Sequence, residues 1–363
     1  MTQKRVGLIR RGWRLFWRLV TGLRSLLANL LFLAVLAVIV LALTVDDSEV
    51  IDTDSVLLLA PSGQIVEQRS FVDPLVRVLD PEIIESETVL HDLIDAVDAA
   101  RSDARIKAMV IDLNRLRGIG FSAARELGVA VQKFRESGKP VLAMADSYDQ
   151  QRYLLASFAD EVFLHTMGGV AIRGFGVYPT YYRELLERLK VDMHVFRVGE
   201  YKAAVEPFIR DDMSPQAKLN SLRWLQALWD EYLALLEANR DLEPSALERY
   251  VNEFDVALRS ADGDMARAAL NAGLVDQVLS REETLEQIGE RIEGDPKETM
   301  VHYYSYLDDV RGAAEDEAEH AVAVIVAEGM IVDGERPPGM AGGDTVAAQL
   351  RQAREDERVK AVV

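Results

Sequence analysis

The chain has 363 residues, and 49% hydrophobic with 28% charged side chains excludes a disordered chain and a minimal disulfide-stapled fold. Asp and Glu number 60 against 41 Lys and Arg, a net charge of −19, yet residues 1–24 hold seven basic side chains (Lys4, Arg5, Arg10, Arg11, Arg14, Arg18, Arg24) and no acidic one. The remainder, with 34 basic and 60 acidic residues, stands at −26 and repels nucleic acid, and the absence of cysteine excludes thiolate chemistry without fixing the redox compartment.

Ser25–Val45 is an uncharged run of 21 residues closed by Asp46-Asp47. As a helix it spans about 31 Å, the thickness of a hydrocarbon core. A cleavable signal peptide fits less well, because the apolar run is long and no small-x-small cleavage pattern follows it. A buried core helix fits poorly beside so basic a flank. The reading is a single-span anchor with residues 1–24 inside and an exported body. Arg10–Arg24, with Trp13, Phe16 and Trp17 among the arginines, has the pattern of an interfacial segment facing anionic lipid.

Beyond the acidic joint Asp46–Asp54, strand and helix patterns alternate. Strands are expected at Val56–Ala60, Ile106–Leu113, Val141–Ala145, Glu161–His165, Met193–Val198 and Leu274–Val278, with Met109-Val110-Ile111 buried on both faces. Helices are expected at Val89–Ala100, Phe121–Arg135, Gln150–Phe158, Tyr181–Leu189, Leu247–Tyr250 and Asp264–Asn271. Ser214-Pro215 starts a longer helix with a stripe of Leu222, Leu225, Trp229, Tyr232, Leu233 and Leu236. The class is α/β with right-handed crossovers. Asp308–His320, acidic and alanine-rich, reads as a linker or solvated helix.

Two stretches recur. Ser55–Val66 (SVLLLAPSGQIV) is echoed by Ala321–Val332 (AVAVIVAEGMIV), and Ala100–Val110 (ARSDARIKAMV) by Ala353–Val363 (AREDERVKAVV). Val363 falls inside the strand that matches Ile106–Leu113, so one whole unit and the opening of a second are expected.

Few residues point to chemistry on their own. The five histidines (His91, His165, His194, His302, His320) are scattered without metal-ligand spacing, and neither a G-x-S-x-G elbow nor a dinucleotide-binding glycine pattern is present. Lys202 stands out. A strand ends at Gly199, and a short helix is expected next with Lys202 in its first turn, where the macrodipole disfavours a cation. Burial against Val198, Tyr201 and Phe208 would also favour the neutral amine, a general base, whereas Glu200 and Glu206 would oppose this if they face it. A surface or salt-bridged lysine is the other reading of these residues.

Ser157-Phe158-Ala159-Asp160, the run from His194 to Ser214 with YKAAVEPFIRDDMS at its heart, and Ala272-Gly273-Leu274-Val275-Asp276 closely resemble the signal peptide peptidase A family in its long, two-domain form (protease IV). The resemblance extends over essentially the whole chain. It implies a membrane-anchored bacterial serine endopeptidase in the inner membrane, N-terminus cytoplasmic and catalytic body periplasmic, acting on cleaved signal peptides and other apolar peptides. The implied fold is a ClpP/crotonase-like α/β superhelix in tandem repeat behind one transmembrane helix, assembled as a homotetramer.

The resemblance divides the chain into a basic segment 1–24, a transmembrane helix 25–45, a first peptidase domain 46–307, a linker 308–320 and the start of a second peptidase domain 321–363. Catalysis is implied to use a Ser/Lys dyad in which Lys202 is the general base. The nucleophilic serine, in a Ser-Pro-Gly-Gly turn, and a second serine orienting the lysine would lie beyond Val363. The equivalent turn here, Asn114-Arg115-Leu116-Arg117-Gly118, has no serine. No cofactor, metal or nucleic-acid partner is implied. The rival readings are a non-catalytic membrane-bound scaffold of the same fold and a crotonase-type acyl-CoA enzyme, for which an exported acidic body has no use.

Overall fold

The computed structural model describes Trp13, Trp17 and residues 20–37, 51–72, 87–315 and 320–363. Two units separate at residue 50. In the first, Val20–Ala37 is a helix whose length and mean hydropathy of 1.8 suit it to crossing a membrane. The remainder of the anticipated span, most of the basic segment and the start of the acidic joint lie outside the described residues.

In the second unit, apolar runs rich in Val, Ile and Leu form parallel strands. In chain order these are β1 (Ser55–Leu59), β2 (Gly63–Val66), β3 (Glu87–Val89), β4 (Ile106–Asp112), β5 (Leu116–Gly118), β6 (Val141–Ala145), β7 (Tyr148–Asp149), β8 (Glu161–His165), β9 (Val170–Ala171), β10 (Gln277–Leu279) and β11 (Met300–His302). Six pair in the order β10-β8-β6-β4-β1-β11, every pairing parallel. A smaller parallel sheet runs β3-β2-β5.

Alternate side chains of the large sheet enter two apolar layers. Leu57, Leu59, Met109, Ile111 and Val162 pack in the layer with helices Leu90–Ser102, Phe121–Glu136 and Gln150–Ala156, while Val56, Val110, Leu142 and Phe163 meet Ile288 and Ile292 of helix Arg281–Ile292. Met109, Val110 and Ile111 are fully buried, as the unbroken apolar run predicts, each contributing about 1.5–3 kcal/mol.

Two anticipated strands differ. Met193–Val198 alternates as a strand should but forms none: it lies against no ladder, and a strand without a hydrogen-bonded neighbour has no means to hold its extended backbone. The strand expected at Leu274–Val278 begins only at Gln277. Gly273 (φ +72°) reverses the chain and the Leu274 N–H bonds back to the Ala269 carbonyl, so pairing with β8 starts after Asp276 has accepted the Val162 N–H. Asp308–His320, expected as a linker or solvated helix, is helical as far as Glu315, as the continuation of helix Tyr303–Glu315. That helix is held down by Arg311 to Asp92 and Asp95, by Arg105 to Asp309, and by the Tyr306 hydroxyl donating to Asp103 Oδ2 at 3.1 Å.

The echoed stretches adopt the same local geometry. Strands β12 (Ala321–Ala323), β13 (Met330–Val332), β14 (Met340–Gly342) and β15 (Val359–Val362) surround helix Gly343–Glu355, in the order shown earlier by β1, β2, β3, helix Leu90–Ser102 and β4. β1 pairs Ser55 with Ile106 and, past an irregularity, Val56 with Ala108; β12 pairs Ala321 with Val359 and, past the same irregularity, Val322 with Ala361. Gln64 faces Glu87 as Met330 faces Met340. Asp103 accepts from the Arg105 N–H at 2.8 Å, and Asp356 from the Arg358 N–H at 2.9 Å.

Candidate functional site

Lys202 sits in a segment between β9 and helix Pro215–Asn239 that contains only short helices, Arg183–Arg188 and Glu206–Ile209. Gly199 adopts φ +111°, a conformation glycine reaches without strain, and turns the chain so that the Lys202 N–H faces the Gly199 carbonyl at 3.4 Å. The helix expected after Gly199, with Lys202 in its first turn, starts at Glu206 instead, because residues 199–203 are spent on this turn and the Glu206 N–H closes on the Ala203 carbonyl at 2.9 Å. Burial of Lys202 is absent as well. It is exposed, and so are Val198, Tyr201 and Phe208, the three residues expected to cover it.

Of the two acids that could oppose a neutral Lys202, Glu206 is turned elsewhere. Its side chain is 2% exposed, Oε2 accepts the Ser214 N–H at 3.0 Å, and Oε1 stands 3.8 Å from Arg197 Nη1. Burial pushes the Glu206 carboxyl up, but the Ser214 bonds and the Arg210 and Arg197 guanidiniums outweigh it and hold it below the ordinary carboxylate value. Arg197 Nη1 also donates to the Lys202 carbonyl at 3.0 Å. Ser214 caps the long helix, its hydroxyl accepting from the Ala217 N–H at 3.2 Å. Sequence reading passed over Arg197 and Glu206 as partners. A glutamate set among Val205, Pro207, Phe208 and Ile209 was the signal, since an acid in apolar company must find a cation or amide.

Around the loop, Tyr182 and Phe208 stack with centroids 6.3 Å apart, and Arg183 pairs with Asp211 and Glu187. Phe196, 96% exposed, Tyr178 and Val198 present apolar surface to solvent.

The turn after β4 has another character. Asn114 donates through its backbone N–H and Nδ2 to Asp112 Oδ1, at 2.9 and 2.8 Å, and its Oδ1 accepts the Asp146 N–H at 2.7 Å. Leu116–Gly118 then pairs with β2. Asp112, Asn114, Asp146, His165 and Arg281 line a cavity of about 330 Å³ at the carboxyl ends of β4, β6 and β8. Met144, Ala145, Phe163, Thr284 and Leu285 also line it, and Arg281 is bonded to Asp146 at 2.9 Å.

The remaining singled-out motifs are structural fasteners. Ser157 is fully buried, donates to the Leu154 carbonyl and accepts from Asn239 Nδ2 at 2.9 Å, which ties helix Gln150–Ala156 to the long helix. Asp160 accepts from the Val141 N–H and Arg135. Asp276 accepts from Arg240, and the Leu274 carbonyl receives the Tyr153 hydroxyl at 2.6 Å.

Residues 133–293 match the family described as peptidase family S49. "Protease 4" of Salmonella typhi is 37% identical over 356 residues, 96% of this chain and 57% of the relative; "Protease 4" of Haemophilus influenzae is 34% identical over 358 residues, 96% of this chain and 58% of the relative. The chain therefore spans somewhat over half the length of these curated relatives. Among solved structures, an enoyl-CoA hydratase/carnithine racemase from Magnetospirillum magneticum aligns at 12% identity over 63% of this chain and 71% of its own, with a TM-score of 0.29, a likeness too slight to bear on the fold.

Proposed function

Since the chain belongs to peptidase family S49, we propose that the whole protein is a membrane-anchored serine endopeptidase that degrades cleaved signal peptides and other apolar peptides. Lys202 is its general base, and the nucleophilic serine comes from protein outside these 363 residues. The observation that carries this reading is 37% identity to a protease along 96% of the chain. The equal pairing registers of β1–β4 and β12–β15 support a tandem repeat of a ClpP/crotonase-like unit. The domains then follow as a basic segment 1–24, a span 25–45, a first unit from 46 and a second unit from 321. In the second unit the turn after β15 corresponds to Asn114–Gly118, and there the serine stands.

The chemistry is acyl transfer. Neutral Lys202 takes the serine proton, the alkoxide attacks the peptide carbonyl, and the backbone amides of the serine's turn hold the oxyanion. The protonated lysine then gives its proton to the leaving amine, and water completes hydrolysis by the same route in reverse. The role requires the Lys202 amine to be neutral at the moment it takes the serine proton.

The helix Val20–Ala37 and the basic flank support a single pass through the bacterial inner membrane with the N-terminus cytoplasmic and the body periplasmic. Exposed Tyr178, Phe196 and Val198 support self-association, read as a homotetramer. Lys202→Ala in the full-length protein tests the assignment. Hydrolysis of an apolar peptide amide should fall nearly to background while the fold is retained. A wild-type rate would remove Lys202 from the chemistry and favour the non-catalytic scaffold.

A further inference from the structure

A carboxylate buried beside a guanidinium often stabilises no better than apolar side chains of equal volume. Glu206 is such a group. It is nearly fully buried, and its Oε1 takes no hydrogen bond and stands 3.8 Å from Arg197 Nη1. Arg197 in turn reaches the main chain of Lys202, donating to its carbonyl at 3.0 Å. The other oxygen of Glu206 holds the N–H of Ser214, the cap of helix Pro215–Asn239. That helix is anchored in the core by Tyr232 and Leu236. The Tyr232 hydroxyl donates to the Gln150 carbonyl at 3.0 Å, and Asn239 Nδ2 to Ser157 Oγ. A continuous line of contacts thus runs from the core helix through Ser214, Glu206 and Arg197 to the backbone of an otherwise exposed lysine.

We infer that Arg197 and Glu206 are positioning residues for Lys202, fixing its backbone so that a flexible side chain starts from one defined point. This rests on the reading of Lys202 as the base. The demand is physical: a base displaced by about 1 Å from its productive geometry loses on the order of a hundredfold in rate, and the four-carbon stem of lysine does not orient itself. Helix capping alone does not account for the pair, since capping uses Oε2 and the Ser214 hydroxyl and leaves Oε1 and Arg197 without a task.

The test uses the full-length protein and the variants Glu206→Gln, Arg197→Met, their combination and Lys202→Ala, with hydrolysis of an apolar peptide amide as the assay. Glutamine keeps an oxygen for the Ser214 N–H and loses the charge that faces Arg197. Each single variant should lower kcat about tenfold or more, the scale of one charge-assisted contact, with KM within about twofold. The double variant should be no worse than the poorer single, because both act along one line. Amide hydrogen exchange at 199–203 should quicken in all three, with Gln150–Ala156 unchanged. A wild-type kcat in either single variant, losses that multiply in the double, or exchange that rises equally in Gln150–Ala156 would overturn the inference. Lys202→Ala separates the two levels. If it retains full rate, the base assignment falls and this inference with it. If it is inactive while Glu206→Gln turns over normally, only the positioning role is refuted.

Discussion

Replacing Gly128 by alanine sets two effects of known size against each other. Gly128 lies in the middle of helix Phe121–Glu136, where the exchange gains about 1 kcal/mol of helix propensity. A methyl group there would lie 2.2, 2.3 and 2.6 Å from Cε2, Cζ and Cδ2 of Phe158, against 3.4 Å or more in ordinary contact. The ring would have to retreat by roughly 1.2 Å, the difference between 2.2 and 3.4 Å. It has little room to do so. Phe158 is 2% exposed, its carbonyl accepts from Arg135 Nη1, and its neighbours Ser157 and Asp160 are pinned by Asn239 and by the Val141 N–H. Overpacking of this kind costs about 1–3 kcal/mol, which outweighs the propensity gain over all but the bottom of that range, so Gly128→Ala should destabilise the chain by up to about 2 kcal/mol net. Gly312 is the control, exposed in helix Tyr303–Glu315 with nothing within 4 Å of a Cβ, and Gly312→Ala should stabilise by up to about 1 kcal/mol. Denaturant unfolding of the detergent-solubilised chain, followed by tryptophan fluorescence, reads both. If Gly128→Ala raises the midpoint as Gly312→Ala does, the packing argument is wrong.

Three further outcomes follow from the same contacts. Burial pushes the Asp103 carboxyl up, but its bonds to Arg105 and Tyr306 outweigh that and hold it below its ordinary 3.8; the stability it lends is full above that value and is lost as pH falls through the lowered one. Helix Tyr303–Glu315 should therefore loosen at acid pH, measured by hydrogen exchange at Tyr306 and Leu307, and Asp103→Asn should leave it equally loose at neutral pH. Lys202→Arg should be as inactive as Lys202→Ala in full-length protein, because a guanidinium stays protonated and cannot take the serine proton; a wild-type rate would refute the base assignment. Protease added to spheroplasts should digest residues 46–363 and spare residues 1–24, and a protected body would refute the exported orientation.

The alternating strand–helix pattern was legible because it is written locally. Val141–Ala145 and Glu161–His165 occur as anticipated, and the doubly buried run Met109-Val110-Ile111 reads as a central parallel strand from composition alone. Ser214-Pro215 marked the long helix through its own hydroxyl and fixed proline φ. The candidate lysine was legible through family likeness, whereas its surroundings were not. Burial around Lys202 and the helix carrying it were inferred from apolar neighbours, and those neighbours point to solvent.

Composition, charge asymmetry, the apolar span and the echo between Ser55–Val66 and Ala321–Val332 were determined by sequence alone, since each depends only on the order of side chains. Tertiary structure alone decided that Met193–Val198 has no ladder to join, that Gly128 is a packing requirement, and that Glu206 belongs to Ser214 and Arg197 rather than to Lys202. Propensity and periodicity describe what a segment prefers. Pairing, clash and charge compensation depend on which distant group is brought against it, and that is fixed only when the sheet and helices have packed.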